Sequence, residues 1–283
     1  MAYKSILTVA TQPDGLDAVL RAASVLALAQ DAHLEVLVAS LDAVSPASFG
    51  YGESFALIQI TMDQAIEAAR ATDAAAKAFL AQETPALRWS VSAGGMQFGN
   101  LRNLVAQHAM FSDIVVLAQP YGAASHPSAE AVLEAVLFDG RASVLMLPTA
   151  GTAPTTGFGR NIVIGWDASA EAMAAVRCAL PLLTAADRVN IVVIDPPVRA
   201  TGQPEPGSQL CQMLVRHGVR ADVSVLARTE PRVSDVLLRH LRDQGADLLV
   251  MGAYGHSRLR EAILGGATRD MLEHAPVPVL MAH

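Results

Sequence analysis

The sequence predicts an α/β protein built from two tandem, doubly wound, five-stranded parallel sheets, and three observations predict it. Of its 283 residues, 52% are hydrophobic but only 5% aromatic and 17% charged, so the apolar mass is aliphatic. Strands covered on both faces are built from such aliphatic runs. The runs alternate with Ala-rich, amphipathic helix patterns, as strand–helix–strand crossovers do. The whole alternation then occurs a second time.

The elements of the two halves match in order. The first strand, Ser5-Ile6-Leu7-Thr8-Val9-Ala10-Thr11, is matched by Asn161-Ile162-Val163-Ile164-Gly165-Trp166-Asp167. Helix patterns follow over residues 16–29 and 170–184, then second strands over 34–40 and 189–195. Leu101, Leu104, Val105 and His108 pair with Val233, Val236, Leu237 and His240, each set lying on one helix face at i, i+3, i+4, i+7. Strands follow at Asp113-Ile114-Val115-Val116-Leu117 and Asp247-Leu248-Leu249-Val250-Met251. Each half closes on a further strand, residues 143–147 and 277–281. The stretch 149–159 is rich in Gly, Pro and Thr and reads as a linker. The expected domains are therefore 1–148 and 160–283, each with strand order 3-2-1-4-5. Apolar edges at the closing strands predict that the halves pack as an internal pseudo-dimer. In such sheets the ligand crevice lies beyond the strand ends where the winding reverses, here after Ile164 and after Met251.

Composition narrows the function. The net charge is −7, carried by residues 1–150, while residues 151–283 balance to zero. That argues against nucleic acid as partner and favours the second half for an anion. No run of eighteen apolar residues predicts a membrane span, and the N-terminus enters a strand pattern without a signal segment. Cys178 and Cys211 form no metal or redox motif and read as buried thiols of a reducing compartment, so the expected location is cytoplasmic.

The loop after the fourth strand of the second half carries the chemistry. It runs Met251-Gly252-Ala253-Tyr254-Gly255-His256-Ser257-Arg258 and continues to Gly265-Gly266-Ala267-Thr268. Gly252 and Gly255 at a strand end permit positive φ and close approach of backbone N–H groups to a ligand. Gly265-Gly266 at the start of the last helix offers unpaired donors at a positive dipole end, which suits phosphate. No Lys-Ser/Thr follows, so this is not a Walker P-loop. His256 is either a site residue or an exposed loop residue. Arg258 and Arg260 read better as a solvated helix face than as phosphate ligands. Asp167 and Ser169 serve equally well as a helix cap.

These residues resemble the signature of the universal stress protein family: Gly, two residues, Gly, nine residues, Gly, then Ser or Thr. Gly252, Gly255 and Gly265 match, while Gly266 stands at the hydroxyl position. Asp167-Ala168-Ser169 resembles the family's Asp-Gly-Ser turn, and Val193-Ile194-Asp195 its second-strand end. The resemblance implies a Rossmann-like fold of the adenine nucleotide alpha hydrolase type and binding of ATP or AMP, with magnesium accompanying ATP. It places Asp167 beside the nucleotide and the Val193 backbone at adenine. Gly252, Gly255, Gly265, Gly266 and Ala267 line the ribose and phosphates. Gly165, Met251, His256 and Thr268 complete the expected site, with Thr268 supplying a hydroxyl in place of the absent one. The implied role is a stress response through conformation or association, with homo-oligomers open; the alternative is an interaction module of the same fold that binds no nucleotide.

The first half lacks these features. Thr11 replaces Asp167, and the loop after its fourth strand reads Ala118-Gln119-Pro120-Tyr121-Gly122. Proline removes a backbone donor at that place. No histidine pair at metal spacing, GxSxG or catalytic Cys-His spacing occurs, so the chain is read as no enzyme, with at most slow ATP hydrolysis.

Overall fold

The computed structural model describes residues 2–39, 55–83, 85–93, 101–121, 128–148, 157–197, 204–254 and 266–283. They fall into two units, one running from Ala2 to Ala142 and one taking the described residues from Ser143 onward.

In the first unit, β1 (Ser5–Ala10), β2 (His33–Val38), β3 (Arg88–Ala93) and β4 (Ile114–Ala118) alternate with α1 (Leu16–Gln30), α2 (Phe55–Leu80) and α3 (Leu101–Met110). Then α4 (Ala129–Glu134) runs into a π turn over Ala135–Asp139. The strands are all parallel, in order β3-β2-β1-β4. Ile6, Leu7, Leu34, Leu37, Ile114 and Val115 are fully buried, as strands covered on both faces require.

The second unit begins with β5 (Val144–Leu147). It continues with β6 (Asn161–Gly165), α5 (Ala170–Leu183), β7 (Arg188–Ile194), α6 (Ser208–Arg216) and β8 (Ala221–Leu226). Then come α7 (Val233–Gln244), β9 (Leu248–Gly252), α8 (Gly266–His274) and β10 (Val279–Ala282). Strands β8-β7-β6-β9-β10 are parallel and stand in the expected order 3-2-1-4-5. β5, the closing strand of the first half, pairs antiparallel with β10, with Leu145 opposite Leu280. The edge of β10, whose side chains are all buried, is thereby covered.

The duplication extends to single hydrogen bonds. The Asp113 carboxylate accepts from the backbone N–H groups of Lys4 and Ser5 at 2.6 and 3.0 Å, and Asp247 accepts from Arg160 and Asn161 at 3.0 and 2.9 Å. His108 on α3 meets Glu35 of β2 at 2.8 Å, and His240 on α7 meets Asn190 of β7 at 2.7 Å. The Asn190 amide also donates to Asp222 and Ser224 of β8, at 3.0 and 2.9 Å. Its oxygen must therefore accept, so Nε2 of His240 carries the proton. Burial holds the His240 imidazole below its ordinary pKa.

One further difference from expectation is physical. Cys178 and Cys211 are partly exposed rather than buried. Cys211 faces solvent in part because α6 is a single short helix over the edge strand β8, where its thiol reaches the Ala221 carbonyl at 3.4 Å. Among the described residues no helix is long and apolar enough to cross a membrane.

Candidate functional site

The carboxyl ends of β6, β7 and β9 and the start of α8 bring most of the expected residues to one end of the second sheet. Beyond Gly165, the Trp166 N–H donates to the Val192 carbonyl at 2.9 Å, prolonging the contact with β7 before the chain turns. The turn is set by Asp167, whose Oδ1 accepts from the Ser169 N–H at 2.9 Å. Ser169 then caps α5, its Oγ accepting from the Ala172 N–H at 3.0 Å. Asp167 stays exposed at the strand end. Val193 is buried in β7, and the Asp195 N–H continues the ladder to the Leu226 carbonyl at 2.8 Å. At the exit of β9 the Tyr254 N–H donates to the Thr268 hydroxyl at 3.3 Å.

Left-handed backbone concentrates here. Ala168, Asp195 and Tyr254 have φ of 63, 50 and 58°, one at the exit of each of β6, β7 and β9. Each such non-glycine residue costs on the order of 1–3 kcal/mol and persists where surrounding structure holds it, a pattern common at ligand sites. The other two such residues, Asp31 and Arg141, precede β2 and β5 and lie away from strand exits.

Gly252 departs from its expected reason. Its φ is not positive; instead, a Cβ there would stand 2.6 Å from the Ala172 nitrogen and 2.9 Å from the Glu171 carbonyl carbon. The exit of β9 passes directly against the first turn of α5, and glycine is required by that contact. A Cβ at Gly165 would meet Met251 and Leu237 at 3.5 and 3.6 Å, ordinary contact distances. Gly266 opens α8 with no positive φ, and a Cβ on it would meet no described atom within 4 Å. Ala267 follows, half-buried, and Thr268 is buried with its hydroxyl oxygen accepting from Tyr254. Gly255, His256, Arg258, Arg260 and Gly265, and the 44–52 loop, lie outside the described residues.

α8 is also fastened to α7. The Asp270 carboxylate accepts from the buried Ser234 hydroxyl at 2.5 Å and from the Arg232 guanidinium at 3.2 Å. The hydrogen bond from Arg232 to Asp235, then the charges of Asp235 and Asp270, hold that guanidinium above its ordinary pKa. A surface groove of about 330 Å³ runs between the two helices, beside this cluster. Ser234 and Asp270 stand 36 residues apart, and no pattern in the sequence links them.

The equivalent end of the first unit is built differently. Pro120 and Gln119 are buried at the exit of β4. Tyr121 donates its hydroxyl to Glu130 at 3.0 Å, placing a carboxylate in the first turn of α4, where α8 opens on Gly266 and Ala267.

Residues 159–283 match the model of the universal stress protein family. That match spans less than half of the chain. A universal stress protein of Synechocystis sp. is 33% identical over 69 residues, a match spanning 24% of this chain and 23% of that protein. The likeness in solved structures is of fold. A universal stress protein from Archaeoglobus fulgidus superposes with a TM-score of 0.64 at 14% identity, covering 98% of this chain and 95% of that one. A putative universal stress protein from Pseudomonas aeruginosa UCBPP-PA14 gives 0.56 at 17% identity, covering 99% and 92%. The match covers the half with the left-handed exits and the glycine-led helix, and the universal stress protein signature read in the sequence lies within it.

Proposed function

We propose that the universal stress protein domain of the second half binds an adenine nucleotide, ATP or AMP, at the exits of β6, β7 and β9. The reading is supported chiefly by the three left-handed residues Ala168, Asp195 and Tyr254, which ring the expected site and have no counterparts at the described strand exits of the first half. Asp167, exposed beside the turn, faces the ribose; the Val193 backbone meets adenine; Gly266, Ala267 and the start of α8 meet the phosphates, where a helix N-terminus favours negative charge. Magnesium accompanies ATP as its counter-ion. The first half binds none, because Glu130 would oppose a phosphate and Pro120 supplies no donor. The chain acts by conformation or association in the cytoplasm.

A second reading, an interaction module without nucleotide, is favoured by one observation: Gly252 is already accounted for by its packing on α5. Titration of the whole chain with ATP and AMP by calorimetry decides between them. Saturable binding at one site per chain, with Trp166 fluorescence changing in a Trp89→Phe background, is the expected result. Absence of heat and of fluorescence change at millimolar nucleotide leaves the interaction module.

A further inference from the structure

α8 is tied to both its neighbours close to its start. Thr268 takes the Tyr254 N–H from the exit of β9, and two residues later Asp270 takes the Ser234 hydroxyl and Arg232 from the start of α7. Ser234 is 1% exposed, so its hydroxyl has been withdrawn from water and depends on Asp270 for a partner. The bond is short and charge-assisted, of the stronger class. Arg232 adds an ion pair that, exposed as it is, contributes little by itself. In the first unit the start of α4 is tied to the exit of β4 through Tyr121 and Glu130, while Arg102 of α3 reaches Glu134 and Asp139 at the far end of the helix and its π turn.

We infer that Asp270, through Ser234, is a positioning residue that sets the start of α8 for the phosphate groups of the ligand. This deepens the nucleotide reading and rests on it. Backbone donors at a helix start hold phosphate only when they are aimed, since they have no flexible side chain to adjust. Glycine at position 266 supplies no hydroxyl of its own, so alignment of the helix carries more of the binding. Anchoring close behind the first turn, on both sides, is the arrangement that meets this need. Neither Asp270 nor Ser234 is among the residues assigned above to adenine or ribose.

That separation supplies the test. The full chain and its Asp270→Ala, Ser234→Ala and Asp270→Asn variants are titrated with ATP, AMP and adenosine, with circular dichroism to establish retained fold. Asp270→Ala and Ser234→Ala are expected to weaken ATP roughly five- to tenfold and AMP less, with adenosine changed by less than about twofold. Asp270→Asn keeps an acceptor for Ser234 and loses less than the alanine variant. Arg242→Ala, in the same groove but bonded only within α7, serves as the control and leaves all three ligands unchanged. Equal loss for all three ligands, or loss for none, overturns the positioning role while leaving nucleotide binding intact. Failure of the unaltered chain to bind any of them overturns the nucleotide reading and the positioning role with it.

Discussion

At the scale of single residues, Gly252 separates packing from ligand binding. A methyl group there would stand 2.6 Å from a backbone nitrogen of α5, and backbone cannot swing aside as a side-chain tip can. Gly252→Ala should therefore destabilise the second unit by about 1–3 kcal/mol, the usual cost of overpacking. Gly165→Ala, with 3.5 Å to Met251 Cβ, should stay within about 1 kcal/mol of the unaltered chain. Urea unfolding of both variants checks the contrast; equal midpoints would mean that β9 and α5 are free to separate. The sequence marks Gly252 as special, and of the two reasons it suggests, positive φ is not one the fold supplies, while packing on α5 is a reason it did not show. Left-handed φ falls instead on Ala168, Asp195 and Tyr254. Of these only Ala168 carried a signal, since it replaces the glycine of the family's Asp-Gly-Ser turn.

At the scale of elements, the buried contact between α7 and β7 makes stability depend on pH. His240 donates Nε2–H to Asn190 and lies in a site that disfavours its charged form. Burial is the largest cause and Arg188 acts in the same direction, while Asp243 and Asp222 oppose them. The folded pKa is thus below the unfolded one, so below about pH 6.5 the unfolded chain takes up a proton that the folded chain resists. This contribution is fully present above about pH 6.5 and is lost as pH falls from there toward the folded pKa. Urea midpoints measured across this range should fall on acidification, and His240→Gln, which still donates to Asn190 but does not titrate, should flatten the fall. An unchanged slope in that variant would assign the acid sensitivity to other groups. The matched spacing of His108 and His240 was visible in the sequence. Their different partners, Glu35 and Asn190, were visible as residues but not as partners, because each meets its histidine only across a crossover.

For the whole molecule, the location of β5 has consequences for any division of the chain. Cutting at residue 160 leaves β10 without the strand that covers its edge, although Val279, Leu280 and Met281 are all buried. A fragment 143–283 retains that strand. Sedimentation velocity should show 143–283 as a monomer and 160–283 as a self-associating species, since an unprotected apolar edge recruits another strand. A monomeric 160–283 would show that the edge of β10 does not recruit another strand once β5 is removed.

What the sequence determined by itself is what depends on local order: aliphatic runs of strand length, 3.6-residue periodicity between them, and their repetition. Those suffice for parallel strands, crossover helices and the order β8-β7-β6-β9-β10, because right-handed crossovers and two-faced burial leave few alternatives. The tertiary structure alone decided the direction of β5, the reason for Gly252 and the bond from Ser234 to Asp270. Each is a distance between residues far apart in the chain, fixed by how helices settle on the sheet, and periodicity within one segment carries no information about it.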